Sequence, residues 1–250
     1  MLAMLRKEWM ENVRGGRLLN LLVLFVIFGI MSPAIAKLTP WLMEMMAEDM
    51  AETGLVVTEV EVDALTSWTQ FFKNIPMALL AYAVLHGTVL TKEFETGTLI
   101  LFLTKGLARW KVIAAKLLMM VFTWTAGYWL CFGITYGYNA YFWDNSVAEG
   151  LLPAVWLWWV FGLWMISLLM LYSVLLCRGN GPLIGTGISV LVVYLLSMVP
   201  KIKTYCPAQL MGGMAFIGPE VELPIEALAV TLVLTLAGVG ASVALMNRWS

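Results

Sequence analysis

Charged residues and histidine are scarce in this chain. Asp, Glu, Lys and Arg together make up 12% of its 250 residues, and 61% are hydrophobic. A soluble domain carries about twice that share of charge, so a soluble globular protein is excluded. The single histidine, His86, and the scattered Cys131, Cys177 and Cys206 match no metal-ligand spacing. We therefore expect no metal site and no disulfide.

The phosphate-binding loop of ATPases, G-x-x-x-x-G-K-[ST], is also missing from the sequence. The glycine-rich stretch from Gly181 to Gly187 lacks the required Lys. An intramembrane enzyme would need paired Asp residues, a Ser–His pair or a metal cluster, and the chain offers none of these inside its apolar segments. We therefore expect no catalytic residues, no bound cofactor and no nucleic-acid partner.

Long apolar runs dominate what the sequence does contain. A membrane-spanning helix needs about 20 mainly apolar residues. Ala34-Ile35-Ala36 is similar to a signal-peptide cleavage site, but the run before it is long enough to span and five more follow. The prediction is an all-α, polytopic transmembrane helical bundle that forms one domain over residues 1–250. Its six spans are predicted at 18–37, 71–91, 112–138, 151–177, 183–199 and 225–246.

The basic residues predict the orientation of these spans. Six spans place both termini on one side, and a cytoplasmic placement leaves only Lys37, Lys73, Lys201 and Lys203 of the 15 basic residues outside. The positive-inside rule therefore favours a protein of the cytoplasmic (plasma) membrane with both termini in the cytoplasm. The predicted outer segments are an acidic loop at 39–70 and a stretch at 200–224, where apolar residues between Pro and Gly indicate short helices.

The first 16 residues predict an amphipathic helix in the plane of the membrane surface. Leu2, Leu5, Trp9 and Val13 recur at helical spacing, while Arg6 belongs to another face. This helix is either a topology anchor or a docking surface for a cytoplasmic partner.

The inner segment at 92–111 has the most distinctive pattern. Glu93 and Glu95 lie at the cytoplasmic end of the second span, and Gly97 precedes an apolar run at 99–103 and a basic cluster. This run is too short to span and too apolar to face water. We expect it at the membrane interface or against a protein partner.

In this segment the chain resembles the membrane permeases of type-2 ABC exporters. Their pattern is an acidic pair, Gly-Thr-Leu, a short apolar run, Thr, Arg and then Lys. The matching residues are Glu93, Glu95, Gly97, Thr98, Leu99, Thr104, Arg109 and Lys116. The opening Lys7-Glu8 with Arg14 and Arg17 is also similar, whereas Gly106 stands where the family often has Pro.

The resemblance implies a homodimer or heterodimer of permeases bound to two cytoplasmic ATPase subunits, which hold ATP and Mg²⁺. It implies that the inner segment is a coupling helix that fits the ATPase and that the N-terminal helix is a connecting helix. The residues implied in ATPase coupling are Glu93, Glu95, Gly97, Thr98, Leu99, Phe102 and Arg109.

Polar residues inside the spans have two interpretations. Tyr82 and His86 share one face of the second span, and Tyr128 and Thr135 share one face of the third. Such side chains either pack against a neighbouring helix or line a translocation pathway. Small residues around Gly185 allow close helix approach, which makes the fifth span a candidate for the dimer contact.

The function predicted from these features is the ATP-driven export of a hydrophobic or amphipathic substrate, such as a peptide, toxin or drug. The acidic outer loop either receives a cationic substrate or is simply solvated. The alternative is a secondary transporter or channel without an ATPase, although that class favours ionisable residues near the midplane and broken helices in matching halves.

Overall fold

The computed structural model describes residues 2–51, 62–99, 104, 106, 108–218 and 221–248, and these residues form helices and loops without a strand. The α-helices are α1 (Leu2–Arg14), α2 (Arg17–Ala51), α3 (Ala64–His86), α4 (Thr91–Glu95), α5 (Arg109–Phe142), α6 (Leu151–Leu176), α7 (Gly181–Leu196), α8 (Pro200–Lys203) and α9 (Ile225–Arg248). Two 3₁₀ helices cover Asn145–Val147 and Pro207–Phe216, and we call the second one the outer 3₁₀ helix.

Five of the described helices are long and apolar enough to cross a membrane, namely α2, α3, α5, α6 and α9. The predicted span at 183–199 corresponds to α7, which is apolar but has only 16 residues. At 1.5 Å per residue it measures about 24 Å, less than the hydrocarbon thickness of about 30 Å. The all-α membrane bundle is confirmed, with five full-length spanning helices and one shorter apolar helix.

The outer connection between the first two spans differs from its prediction. The first span was predicted to end at residue 37, but α2 has 35 residues and extends from Arg17 to Ala51. The second was predicted to begin at residue 71, but α3 begins at Ala64 after Asp63, whose carboxylate accepts a hydrogen bond from the Thr66 N–H at 2.9 Å. Much of the predicted loop at 39–70 is therefore helical, and one of its acidic residues serves as a helix cap.

Helix α2 continues through Pro33, which lies inside the predicted first span. Proline carries no N–H, so inside α2 it leaves the Gly29 carbonyl without its usual donor. The Thr135 hydroxyl of α5 donates to the Gly29 oxygen at 3.0 Å instead. A side chain from a neighbouring helix thus satisfies the freed carbonyl, which is how membrane helices tolerate proline.

The centre of the bundle is α6, whose residues are apolar on all sides and mostly buried. It packs against α5, α7, α9 and the outer 3₁₀ helix. Gly162 of α6 allows the Trp124 ring of α5 to lie directly on its backbone, since a Cβ atom at Gly162 would be 2.3 Å from that ring. The Trp124 Nε1–H donates to the Trp159 carbonyl at 3.2 Å, which fixes α5 against α6.

Several chain segments meet at one end of the bundle, which we call the basal end. Lys116 near the start of α5 contacts Glu8 of α1, and Arg109 donates to the carbonyl of Asn247 near the end of α9. Helix α4 and the turn between α6 and α7 lie at the same end, where Glu95 of α4 is hydrogen-bonded to the turn. The first and last helices therefore reach the same end of the bundle, where the inner segment also lies.

Candidate functional site

A cluster of ionised side chains is packed into the basal end, and we call it the basal ion cluster. It consists of Lys7, Glu8 and Glu11 from α1, Arg17 from α2, Glu93 from α4 and Lys116 from α5. Three carboxylates thus face three cations, and four helices contribute to one network. The cluster is electrically balanced, as a charge group away from water must be.

Lys116 is at the centre of the basal ion cluster. Its side chain is fully buried, and its ammonium contacts Glu8 Oε1 and Glu93 Oε1, each at 3.0 Å. It also donates to the Val89 carbonyl at 3.5 Å. A single charge on α5 therefore joins the N-terminal helix to the inner segment and contributes to the neutralisation of both carboxylates.

Lys7 makes the second set of connections between the same elements. Its ammonium contacts Glu8 and Glu11, both at 3.1 Å, and forms an ion pair with Glu93. Burial alone lowers the pKa of Lys7, but its contacts with Glu93, Glu8 and Glu11 raise this pKa above the ordinary value. Lys7 is therefore ionised across the physiological pH range.

Glu11 forms the outer edge of the basal ion cluster, where it contacts Lys7 at 3.1 Å and Arg17 at 3.5 Å. Burial by itself raises the pKa of Glu11. The contact with Lys7 and the charges of Lys116 and Arg17 lower this pKa by a larger amount, so it lies below its ordinary value. Oxygen atoms of Glu8, Glu11 and Glu93 lie within 4.8 Å of one another, close enough for a metal ion. Since Lys7 and Lys116 contact these carboxylates directly, we assign the group as an ion-pair network.

Glu95 has a separate role from Glu93. Its carboxylate accepts a hydrogen bond from the Gly179 N–H at 2.7 Å, and the Thr91 hydroxyl donates to the Gly179 carbonyl at 3.2 Å. Gly179 lies in the turn between α6 and α7 with a φ of 47°, a conformation that glycine adopts readily. Helix α4 is therefore bonded to this turn on one side and to the basal ion cluster on the other.

The other residues predicted for ATPase coupling lie around α4. Gly97 follows the helix with a φ of 67°, Thr98 is half-buried, and Arg109 begins α5. Leu99 was expected at the membrane interface or against a partner, but it is 4% exposed and packs into the core of the chain. Leu99 thus anchors the segment from inside. Phe102 lies outside the described residues.

Helix α1 is amphipathic in an unexpected orientation. Its buried face carries Met4, Glu8 and Asn12, which places polar groups toward the protein. The predicted apolar stripe lies on the outward side, where Trp9 and Val13 are nearly half exposed. Among the other predicted members, Leu5 is half-buried and Arg6 is exposed. An outward apolar stripe is what a helix lying on a membrane surface requires.

The four candidates for pathway lining are buried between helices. The Tyr82 hydroxyl donates to the Met120 carbonyl at 2.6 Å, and the ring of His86 stacks on Tyr82. The Tyr128 hydroxyl donates to the Val155 carbonyl at 2.7 Å, and Thr135 caps the carbonyl freed by Pro33. All four are at most 4% exposed, so they hold the helices together in this conformation and support the packing interpretation.

The buried partners of Glu93 were not among the predicted site residues. Lys116 matched the family pattern but was given no role, although a lysine inside an apolar stretch is costly unless it is paired. Glu8 and Glu11 belong to the polar face of α1, the helix that was predicted to lie in the plane of the membrane surface, and neither was given a role in the site. The burial of that face depends on contacts between residues more than 80 positions apart, such as Lys7 with Glu93.

Comparison with known proteins gives one family-level result. The sequence model described as ABC-2 family transporter protein matches residues 2–237, nearly the whole chain. No curated protein matches the chain.

Proposed function

Because the chain belongs to the ABC-2 family of transporter proteins, we propose that it is the permease subunit of an exporter driven by a separate ATPase. Two copies of the ATPase would bind ATP and Mg²⁺ at the cytoplasmic face, and a second permease, identical or different, would complete the translocation unit. The proposed direction of transport is outward, and both termini would lie in the cytoplasm.

The position of α4 is the observation that carries this proposal. One side of this five-residue helix joins α1 and α5 through Glu93, and the other side joins the α6–α7 turn through Glu95. A force applied to α4 by an ATPase would therefore reach α7 through one short hydrogen bond. The basal ion cluster would keep α1 and α5 in step with the same movement.

Co-purification in mild detergent tests the partner. We expect an ATPase with a phosphate-binding loop to accompany the tagged chain at a ratio of about one to one. Recovery of a stable oligomer without an ATPase, under conditions that preserve ABC assemblies, would contradict the proposal and favour a secondary transporter or channel.

The effect of Glu95→Gln tests the coupling route through α4. The readout is the labelling rate of a cysteine placed at Leu195, an exposed residue near the outer end of α7, in a chain whose three native cysteines are replaced by alanine. ATP should change this rate several-fold in the parent complex. We expect Glu95→Gln to reduce the change while ATP hydrolysis continues, because the neutral amide oxygen of Gln accepts the Gly179 N–H more weakly than the carboxylate does.

Lys92→Met is the matched control for this experiment, since Lys92 is an exposed neighbour of Glu93 on the same helix. This variant should respond to ATP like the parent complex. A full ATP response in Glu95→Gln would show that α7 receives the signal by another route.

A further inference from the structure

Hydrogen bonds attach the middle of α2 to both of its neighbours. The Thr135 hydroxyl of α5 donates to the Gly29 carbonyl at 3.0 Å, and the Asn74 amide of α3 donates to the Ser32 hydroxyl at 3.2 Å. Polar contacts of this kind hold spanning helices together. Beyond Ser32, toward the outer end of α2, the polar groups of both neighbours have a different environment.

Asn139 of α5 faces α2 just beyond these bonds. It lies one helical turn after Thr135, which contacts α2, and about one turn before Phe142, whose ring centre is 3.7 Å from the Lys37 ammonium of α2. Asn139 is 0% exposed, although both of its sequence neighbours are exposed. Neither its amide nitrogen nor its amide oxygen has a hydrogen-bond partner among the described residues. Helix α2 therefore covers a carboxamide without bonding to it.

Ser67 of α3 is in the same situation on the other side of α2. It is about two helical turns from Asn74, so the two side chains share the face of α3 that contacts α2. Because α3 runs from the outer end toward the basal end, Ser67 lies farther out than Asn74. Its hydroxyl is fully enclosed and has no partner in the described part of the chain.

The unpartnered groups indicate that this contact is temporary. An enclosed polar group without a partner destabilises the conformation that encloses it. Apolar side chains would pack against α2 without this penalty, and the penalty also disappears in a conformation where the amide and the hydroxyl meet water. Asn139 and Ser67 therefore mark a part of the contact that opens, whereas Thr135 and Asn74 mark a part that stays closed.

The attraction between α2 and α5 at the outer rim is suited to repeated opening. Lys37 and Phe142 are both exposed there, and a cation–π contact at an exposed site is weaker than one shielded from water. The rim contact can therefore break and form again more easily than the hydrogen bonds at Gly29 and Ser32.

We propose that the outer half of α2, from Pro33 to Ala51, is an outer gate that separates from α3 and α5 during the transport cycle. The path that it opens would be lined by Asn139 and Ser67, which hydrogen-bond to water or to uncharged polar groups of the substrate. This inference rests on the proposed function, because the ATPase supplies the energy for the movement.

The reactivity of a cysteine at Ala36 measures this movement. Ala36 is fully buried and lies seven residues from Gly29, on the face of α2 that contacts α5. The chain, with its three native cysteines replaced by alanine, is placed in nanodiscs with its ATPase and treated with a membrane-impermeant maleimide. We expect ATP to raise the labelling of Ala36→Cys several-fold. Ala154→Cys, at an equally buried alanine near the outer end of α6, should remain unlabelled with and without ATP.

Variants on both sides of α2 test the role of the unpartnered groups. Asn139→Leu removes the amide and stabilises the closed gate, so the melting temperature should rise by about 2–4 °C. The ATP-dependent labelling of Ala36→Cys should fall about five-fold or more, which corresponds to the smaller penalties of an unpartnered buried polar group. Ser67→Ala should change both quantities in the same direction. Phe142→Leu removes the rim contact and should increase labelling without ATP.

Two controls have different expected results. Ala140→Leu adds a leucine at the exposed neighbour of Asn139 and should change neither quantity. Ser32→Ala removes the acceptor of the Asn74 amide, so it should lower the melting temperature, whereas Ser67→Ala should raise it.

The outcomes separate this inference from the proposed function. If ATP changes the labelling of Leu195→Cys but leaves that of Ala36→Cys unchanged, the gate is refuted and the ATPase-driven permease stands. If neither position responds, both proposals fail. An Asn139→Leu protein with the melting temperature and the ATP response of the parent chain would also overturn the gate.

Discussion

Replacement of Lys116 by methionine is the most direct test of the basal ion cluster. The substitution keeps a long apolar stem but removes a fully buried ammonium. Glu8 and Glu93 then lose a cation at 3.0 Å from each, and the remaining cluster carries one excess negative charge. Since Lys7 still contacts both carboxylates, part of the compensation survives.

The expected size of the effect follows from this geometry. Removal of one partner from a buried ion pair costs about 3–5 kcal/mol, and the surviving contacts of Lys7 place Lys116→Met near the lower end. For a chain of this length, 1 kcal/mol corresponds to about 2–4 °C in melting temperature, so we expect a decrease of about 6–12 °C. The double variant Lys116→Met/Glu8→Gln restores the charge balance and should lose less than about 6 °C.

Thermal unfolding in mild detergent, monitored by tryptophan fluorescence, measures these changes in melting temperature. Lys92→Met is the control and should remain within about 2 °C of the parent chain, because surface substitutions usually change stability by less than about 0.5 kcal/mol. A Lys116→Met protein as stable as the control would refute the assignment of a charged, stabilising cluster. Strict additivity of Lys116→Met and Glu8→Gln would show that the two side chains do not interact.

Two further predictions concern packing and pH. Gly162→Ala places a methyl group 2.3 Å from the Trp124 ring and should lower the free energy of unfolding by about 1–3 kcal/mol through overpacking. The control Gly133→Ala should be neutral. Equal melting temperatures for the two variants would contradict the close contact of α5 with α6. The pKa of Glu11 lies below its ordinary value of 4.5, so its stabilising contribution with Lys7, Arg17 and Lys116 is present above pH 4.5 and is lost as pH falls through the lowered pKa. The melting temperature should fall more steeply with acidification in the parent chain than in Glu11→Gln, and parallel curves would contradict this contribution.

The membrane character of the fold was predictable because it depends on composition and on the length of apolar runs. The helix ends were less predictable. The first span was predicted to end at residue 37, but α2 continues to Ala51 and passes through both Pro33 and Pro40. The compensation at Pro33 comes from Thr135, more than 100 residues away, and such a contact leaves no local trace in the sequence.

The candidate site was only partly predictable, because its contacts also join residues that are far apart in the sequence. The pattern around Glu93 and Glu95 indicated the segment, but it could not show that one carboxylate faces a buried lysine and the other faces a turn. Lys116 carried a usable signal, since a lysine within an apolar run demands a partner. The expected outward position of Leu99 was wrong because its burial depends on how the segment folds back on the bundle.

Helix α2 has a mechanical property that follows from its length and its prolines. With 35 residues it measures about 52 Å, so it extends well past a hydrocarbon layer of about 30 Å. A helix bends most easily where proline interrupts its hydrogen bonds, and the part beyond Pro33 forms a lever about 27 Å long. A change of about 10° in the helix direction at Pro33 would move the end of this lever by about 5 Å. The hydrogen bond from the Thr135 hydroxyl to the Gly29 carbonyl connects this hinge to α5.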